Sequence, residues 1–297
     1  MQKTKSRICI TKFKKNNIPE IENLLRVKKE KMVAMLAPSF AAEFDYPQII
    51  HQLKQLGFDK VVELTFGAKM VNREYHRILE DNSKLPDGKK KLWISSVCPG
   101  IVYFIREKYP QFEKNIIPID SPVIAMSKIC KRVYPLHRVV FIAPCNQKKI
   151  EAESSSFVDY TIDYQQLKII FSKYNLKGSK KEIKFDKFYN DYTKIYPLAG
   201  GLSKTAHLKG IIKPGEEKKF DGILEVEKFL KNPDKKVIFL DVTFCKGGCI
   251  GGPCLTSKNI AKNKERIMDY MKKAAEESIP KTKIGLIKKA RGLNFKW

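Results

Sequence analysis

Met32-Val-Ala-Met-Leu-Ala-Pro38 is a short apolar run closed by proline, and Lys60-Val-Val-Glu-Leu64 is a second such run. Between them, Pro47-Gln-Ile-Ile-His-Gln-Leu-Lys-Gln-Leu56 spaces its apolar residues as a helix does and stops at Gly57. Gly67 to Leu79 then reads as another helix. Strand, helix, strand, helix in this order predicts an α/β fold, a mainly parallel sheet covered by helices on both faces.

The pattern continues toward the C-terminus. The polar loop from Asp81 to Lys91 carries the turn signal Pro86-Asp-Gly88. A strand is predicted over Leu92–Ser96 and a helix from Pro99 to about Tyr109. Ser121-Pro122 opens another helix, with serine as its cap. Further strands are predicted at Arg138–Ala143 and Val237–Asp241, and helices at residues 163–175, Phe220–Leu230 and Ser257–Ala274. Residues 177–190 are dense in lysine and read as a surface insertion, and Pro197-Leu-Ala-Gly-Gly-Leu202 as a glycine-rich loop. Three segments are expected: a basic N-terminal stretch over 1–31, one body over 32–277 and a basic, peripheral tail over 278–297.

A chain of 297 residues can build one large two-lobed domain or two small ones, and 43% hydrophobic residues make it globular. No apolar run approaches the roughly 20 residues that span a bilayer. No apolar core follows the basic stretch Met1–Arg7, so the expected place is the cytoplasm, away from membranes. Lys and Arg number 58 against 32 Asp and Glu, a net charge of +26. Only nine of these cations are arginine. Lysine lacks the planar fork that reads guanine or clamps phosphate, which argues for a solvated surface rather than a nucleic-acid partner. An acidic redox protein is the partner such a surface would dock.

Seven cysteines stand at 9, 98, 130, 145, 245, 249 and 254, an odd number that suits metal ligands or buried thiols better than disulfides. Four histidines supply a zinc site poorly. The three later predicted strands run into Cys98, Cys145 and Cys245, and open α/β sheets hold their ligand sites beyond the carboxyl ends of strands. Cys249 follows Cys245 through Lys246-Gly-Gly248, where Gly247 and Gly248 would bend the backbone and offer N–H groups to an inorganic core. Iron in a cubane wants one soft thiolate per metal. Lys148, Lys149 and Lys246 are candidates to balance its charge. The Cys245–Cys249 spacing alone suits zinc as well, and a single strand-end cysteine is more often an ordinary buried thiol. Cys130 lies in an apolar helical stretch and reads as core. Cys254 reads as a bystander, Cys9 as a free thiol or a relic of a lost cluster module, and His207 as a weak candidate.

Ser95-Ser-Val-Cys-Pro-Gly100, Ala143-Pro-Cys-Asn-Gln-Lys-Lys-Ile-Glu-Ala152 and Phe244-Cys-Lys-Gly-Gly-Cys-Ile-Gly-Gly252 occur in that order. They resemble the three signatures of the C-terminal domain of the iron-only (FeFe) hydrogenase large subunit. Leu56-Gly-Phe-Asp-Lys-Val-Val62 and Phe66-Gly-Ala68 resemble its N-terminal half. Ala37-Pro-Ser-Phe40 and Pro197-Leu-Ala-Gly-Gly-Leu-Ser-Lys204 resemble a divergent branch of the family to which a sensory role is attached. The similarity spans roughly residues 32–255.

The resemblance implies two lobes of twisted sheet flanked by helices, with a metal site in the cleft between them. Cys98, Cys145, Cys245 and Cys249 would bind a 4Fe–4S cluster. Cys249 would also bridge to a two-iron unit carrying carbon monoxide, cyanide and a dithiolate, completing the H-cluster that interconverts protons and hydrogen. Lys148 matches a lysine that contacts cyanide, Pro144 would pack beside the site, and Glu151 matches an acid able to relay protons or to pair with a lysine. Ser121 matches a family serine, although capping alone accounts for it. This chain departs from the pattern at Val97, where efficient enzymes carry a proton-relaying cysteine. It departs again at Ala143 and Thr243, which stand for methionines, and at Gly251-Gly-Pro-Cys254, which replaces a glycine run. Relatives carry ferredoxin-like clusters upstream, where only Cys9 stands here, so electrons would come from a separate ferredoxin and any signal would pass to a separate signalling protein.

Three functions compete. The first is an H-cluster protein that senses hydrogen or turns it over slowly. The second is a non-catalytic 4Fe–4S protein of electron transfer or cluster assembly. The third is a basic nucleic-acid-binding protein with a structural cluster.

Overall fold

The structure, a computed structural model, describes residues 18–27, 30–186, 192–275 and 290–297. Strands β1 (Lys31–Leu36), β2 (Lys60–Glu63), β4 (His137–Ala143) and β5 (Tyr160–Asp163) form one parallel sheet in the order β2-β1-β4-β5. Strands β3 (Trp93–Ile94), β6 (Glu217–Asp221) and β7 (Phe239–Thr243) form a second parallel sheet in the order β3-β7-β6. Helices α1 (Ile18–Val27), α2 (Gln48–Leu56), α3 (Thr65–Ser83), α4 (Pro99–Lys108) and α5 (Pro122–Val133) precede α6 (Asn146–Glu153) and α7 (Tyr164–Lys173). Helices α8 (Gly201–Thr205), α9 (Ile223–Lys231) and α10 (Ile260–Ala275) follow. None of the described helices is long and apolar enough to cross a membrane.

The two-residue period of the strands distributes the core. Met32, Ala34 and Leu36 of β1, with Val140 and Ile142 of β4, face a cluster filled from α1, α2, α7 and α10. Val33 and Met35, with Val139 and Phe141, face the opposite cluster, filled by α3 and α5. Phe239 of the second sheet joins that same cluster, so α3 and α5 lie between the two sheets. The far side of the second sheet buries Leu240 and Val242 against α4 and α9. Gly67 lets α3 and α5 approach closely. A Cβ there would stand 2.7 Å from Met126 Cβ and 2.8 Å from the Pro122 carbonyl oxygen, a contact no side chain tolerates without moving the helices apart.

Several expectations are corrected. The predicted strand Leu92–Ser96 shortens to Trp93–Ile94, because the Ser96 N–H donates to Tyr75 Oη (2.7 Å) instead of a neighbouring strand. Strand β6 was not predicted: Glu217-Lys-Lys-Phe-Asp221 is a charged edge strand, and α9 begins only at Ile223. The N-terminal stretch is not a separate module throughout. Ile21 and Leu25 of α1 are buried in the core, whereas Cys9 lies outside the described residues. Within the expected tail, the described residues 290–297 pack on the body. Ala290 and Phe295 are buried, the Asp120 N–H donates to the Phe295 carbonyl (2.7 Å), and Trp297 Nε1 donates to the Ile119 carbonyl (2.7 Å). Within the lysine-rich insertion, Phe185 packs edge-on against Phe40 and stacks on Tyr46, and Lys54 Nζ pairs with Asp186 at 2.6 Å. Residues 187–190 of that insertion lie outside the described residues.

One buried polar cluster fixes the segment that enters the cleft. Lys194, in the short turn Tyr192–Ile195, donates to Glu63 Oε2 (2.9 Å) and to Tyr270 Oη (3.1 Å). Tyr270 Oη donates to Glu63 Oε1 (2.7 Å), and Thr65 Oγ1 donates to Glu63 Oε2 (3.1 Å). Both charged side chains are less than 10% exposed, at 6% and 3%. Replacing Lys194 by Met leaves the Glu63 carboxylate buried without its cation, and the expected loss of stability in a denaturant titration is about 3–5 kcal/mol. The double variant Lys194→Met with Glu63→Gln is expected to lose less than that.

Candidate metal centre

Five segments leave the carboxyl ends of parallel strands and meet in one cleft. Ala37-Pro38-Ser39 follows β1, Leu64 follows β2, Val97-Cys98 follows β3, Pro144-Cys145 follows β4 and Phe244-Cys245 follows β7. Together with Cys249 and the Tyr196–Leu198 segment they enclose about 90 Å³. The chain leaves β1 for β2 on one side, while β4 pairs with β1 on the other. The cleft therefore opens at a topological switch point, where sheets of this kind bind ligands.

Each cysteine is placed by its backbone. Cys98 and Cys145 occupy the cap positions of α4 and α6, with Pro99 in the first turn of α4. The Cys98 carbonyl accepts from Ile101 N–H (3.0 Å), and the Cys145 carbonyl from Lys149 N–H (3.2 Å). Both residues thus stand at the positive ends of helices. Cys249 is tied by its own N–H, which donates to the Pro197 carbonyl at 2.9 Å.

The two glycines between Cys245 and Cys249 act differently from expectation. Gly247 and Gly248 both adopt left-handed backbone, at φ +81° and +71°. A Cβ on Gly248 would stand 2.6 Å from the Pro197 carbonyl oxygen. Their N–H groups are committed, Gly247 to Asp221 Oδ2 (2.6 Å) and Gly248 to the Cys245 carbonyl (3.1 Å). Gly248 lines the cleft and Gly247 does not. They shape the turn and offer no free donor to a cluster.

Of the three lysines expected to balance charge, Lys148 alone lines the cleft. Lys149 pairs with Asp163 (3.2 Å) and donates to Gln166 Oε1 (2.9 Å), and Lys246 is exposed. Lys148 Nζ donates to Glu151 Oε2 at 2.8 Å, and Ser121 Oγ donates to the same oxygen at 2.8 Å. Ser121 therefore makes no capping bond with its side chain and instead holds the lysine's counter-ion. Pro144, Val97 and Thr243 line the cleft, while Ala143 is buried behind it. Cys130 is core, and Cys254 is buried outside the cleft with its sulfur 3.7 Å from Asn146 Oδ1.

Two wall residues, Tyr196 and Asp241, carried no readable signal in the sequence, and a third, Ser39, stands in one of the quoted motifs. Tyr196 Oη is buried and without a hydrogen-bond partner among the described residues. Asp241 is buried and accepts from Ser203 N–H (3.0 Å) and Ser203 Oγ (2.8 Å), and burial pushes its carboxyl up. Ser39 Oγ is 2.7 Å from Tyr164 Oη.

The donor set fits an iron–sulfur core. Burial pushes the Cys249 thiol up to about 12, and the neighbouring sulfurs of Cys98 and Cys245 add to the effect against Lys148. Burial and the sulfurs of Cys249 and Cys98 push Cys145 up as well. Such a group of thiolates forms only where a metal supplies the opposing charge. Among the described residues, no three His, Cys, Asp or Glu side chains close on a single ion. The four cysteines instead line a shared cavity, and a four-iron cubane takes one thiolate per iron.

The sequence profile described as iron only hydrogenase large subunit, C-terminal domain, matches residues 30–253. Iron hydrogenase 1 of Clostridium pasteurianum is 24% identical over 322 residues, covering 84% of this chain and 54% of that protein. The chain thus spans about half the length of this curated relative. An apo FeFe-hydrogenase of Chlamydomonas reinhardtii with a cysteine-to-histidine substitution superposes with a TM-score of 0.64 at 15% identity, over 84% of this chain and 88% of that one. A FeFe-hydrogenase structure that revealed stepwise H-cluster assembly superposes over the same shares with a TM-score of 0.65, also at 15% identity. At such identities the superpositions establish the fold, and the profile match over most of the sequence establishes that this chain belongs to the family of the iron-only hydrogenase large subunit, C-terminal domain.

Proposed function

We propose that this chain holds a 4Fe–4S cluster on Cys98, Cys145, Cys245 and Cys249, and that Cys249 also bridges to a two-iron unit carrying carbon monoxide, cyanide and a dithiolate. The observation that carries this reading is the meeting of all four cysteines around one enclosed cleft at the carboxyl ends of the strands. When bound, such a unit supplies the interconversion of protons and hydrogen. Lys148 keeps a positive charge in the wall, aimed by Glu151 and Ser121, and suits an anionic ligand such as cyanide.

The walls argue for hydrogen sensing or slow interconversion rather than fast turnover. Val97 lines the cleft where efficient relatives carry a thiol, and an isopropyl group moves no proton. The Thr243 hydroxyl is spent on the Cys245 carbonyl (3.4 Å). Glu151 is bound to Lys148 and does not line the cleft, so its part is to position the lysine. Electrons would arrive from an acidic ferredoxin-like protein docking on the lysine-rich surface, and a sensed state would be read by a separate signalling protein. A second reading, a 4Fe–4S protein without the two-iron unit that serves electron transfer or cluster assembly, is favoured by the same Val97. It would need only the four thiolates.

Infrared spectra of protein made anaerobically with the hydrogenase maturation proteins separate the two readings. The expected result is a set of bands from metal-bound carbon monoxide and cyanide that shift under hydrogen. Iron and sulfide without those bands would leave the second reading. A Val97→Cys variant restores an acid group in the wall, and its hydrogen turnover is expected to rise about 10- to 100-fold over the parent. An unchanged rate would show that proton delivery through this position does not limit the reaction.

A further inference from the structure

A second cavity, of about 370 Å³, lies between α3, the end of α8 and the turn Tyr192–Ile195. Its floor is one stripe of α3: Lys69, Asn72, Arg73, His76 and Arg77 recur at spacings of three and four. Opposite them stand Thr193, Thr205 and His207. Among the described residues no carboxylate lines the cavity. Glu74 touches Arg77 at 3.6 Å.

This is not the surface that a lysine-rich chain makes by default. The chain has only nine arginines and four histidines, and two of each line this one cavity. Lys69, Arg73 and Arg77 are like charges at successive four-residue steps, an arrangement that destabilises a helix unless something offsets it. His207 sits at φ +55°, in backbone that a non-glycine residue adopts only at a cost.

Asn72 ties the floor to the opposite wall. Asn72 is 4% exposed, and its Nδ2 donates to Thr205 Oγ1 at 2.8 Å. The Thr205 hydroxyl is itself committed as a donor to the Gly201 carbonyl (2.8 Å), which fixes the orientation of the amide. Asn72 Oδ1 is left buried and without a hydrogen-bond partner among the described residues. His76 Nδ1 is 2.9 Å from the Ala206 carbonyl, so Nδ1 carries the proton.

We propose that this cavity binds a small phosphate-bearing metabolite. Lys69, Arg73 and Arg77 take the phosphate, with Thr193, Thr205 and His207 on the opposite wall. Arginine forks bind phosphate in two-pronged fashion, and the volume falls in the range of small-molecule sites, roughly 300–1,000 Å³. A small molecule is favoured over nucleic acid because the cations face Thr193, Thr205 and His207 across a cavity rather than spreading over an open face.

The test is a calorimetric titration of the full chain with ribose 5-phosphate and with methyl phosphate at fixed ionic strength, alongside the double variant Arg73→Ser, Arg77→Ser. Both arginines are exposed, so the variant should keep its fold, which its thermal transition checks. Saturable one-to-one binding of both phosphates is expected, weakened at least tenfold in the variant. Non-saturating heats for the two phosphates would overturn the proposal. So would binding unchanged in the variant, or tighter binding of a DNA oligonucleotide that displaces ribose 5-phosphate. None of these readouts depends on the metal content of the cysteine centre, so the outcome stands apart from the hydrogenase reading.

Discussion

Bringing four thiolates into one apolar cleft is the constraint on which the architecture turns. Isolated buried thiolates are unfavourable, and the upward displacement of Cys145 and Cys249 states that cost directly. The fold meets it with geometry and with a counter-charge. Two of the cysteines stand at helix N-termini, a third follows β7, and the fourth is held by a backbone bond to Pro197. The Pro197 segment is in turn fixed by the buried Lys194–Glu63 pair a few residues upstream. In the proposed reading a metal core would supply the remaining positive charge, which would couple occupancy of the centre to its shape.

The same cleft separates holding a cluster from running fast chemistry on it. The four cysteines and Lys148 are in place around it. The positions that would shuttle protons are not equipped alike. Val97 is apolar, Thr243 is bonded to backbone, and Glu151 is occupied with Lys148 and Ser121. Tyr196 Oη, Ser39 and Asp241 are further protic groups in the wall, and all three are buried. These walls are the ground for proposing sensing or slow interconversion rather than fast turnover.

Much of this was legible in the sequence, and the physical reasons are specific. Fully apolar runs such as Met32–Leu36 announce strands buried on both faces, and Gly57 in left-handed backbone ends α2 as its position suggested. The strand-to-cysteine junctions were legible because the run of apolar residues stops where the chain turns into the cleft. Strand β6 was hidden because an exposed edge strand carries charged rather than apolar residues. The roles of Ser121, Gly247 and Gly248 were misread, since local propensity predicts a cap or a free N–H but cannot see the partner that takes it. Tyr196 and Asp241 reach the cleft through tertiary packing alone. The basic cavity on α3 was equally invisible, because a cationic helical stripe reads as solvated face until Thr205 and His207 close over it.

The central claim, that these four cysteines hold a single cubane, is tested most directly by anaerobic reconstitution with iron and sulfide followed by elemental analysis and Mössbauer spectroscopy. The account predicts four irons and four sulfides per chain with the spectrum of a 4Fe–4S cluster, lost in Cys145→Ser. One tightly bound zinc, or iron that remains in the spectrum of the Cys145→Ser protein unchanged, would contradict it.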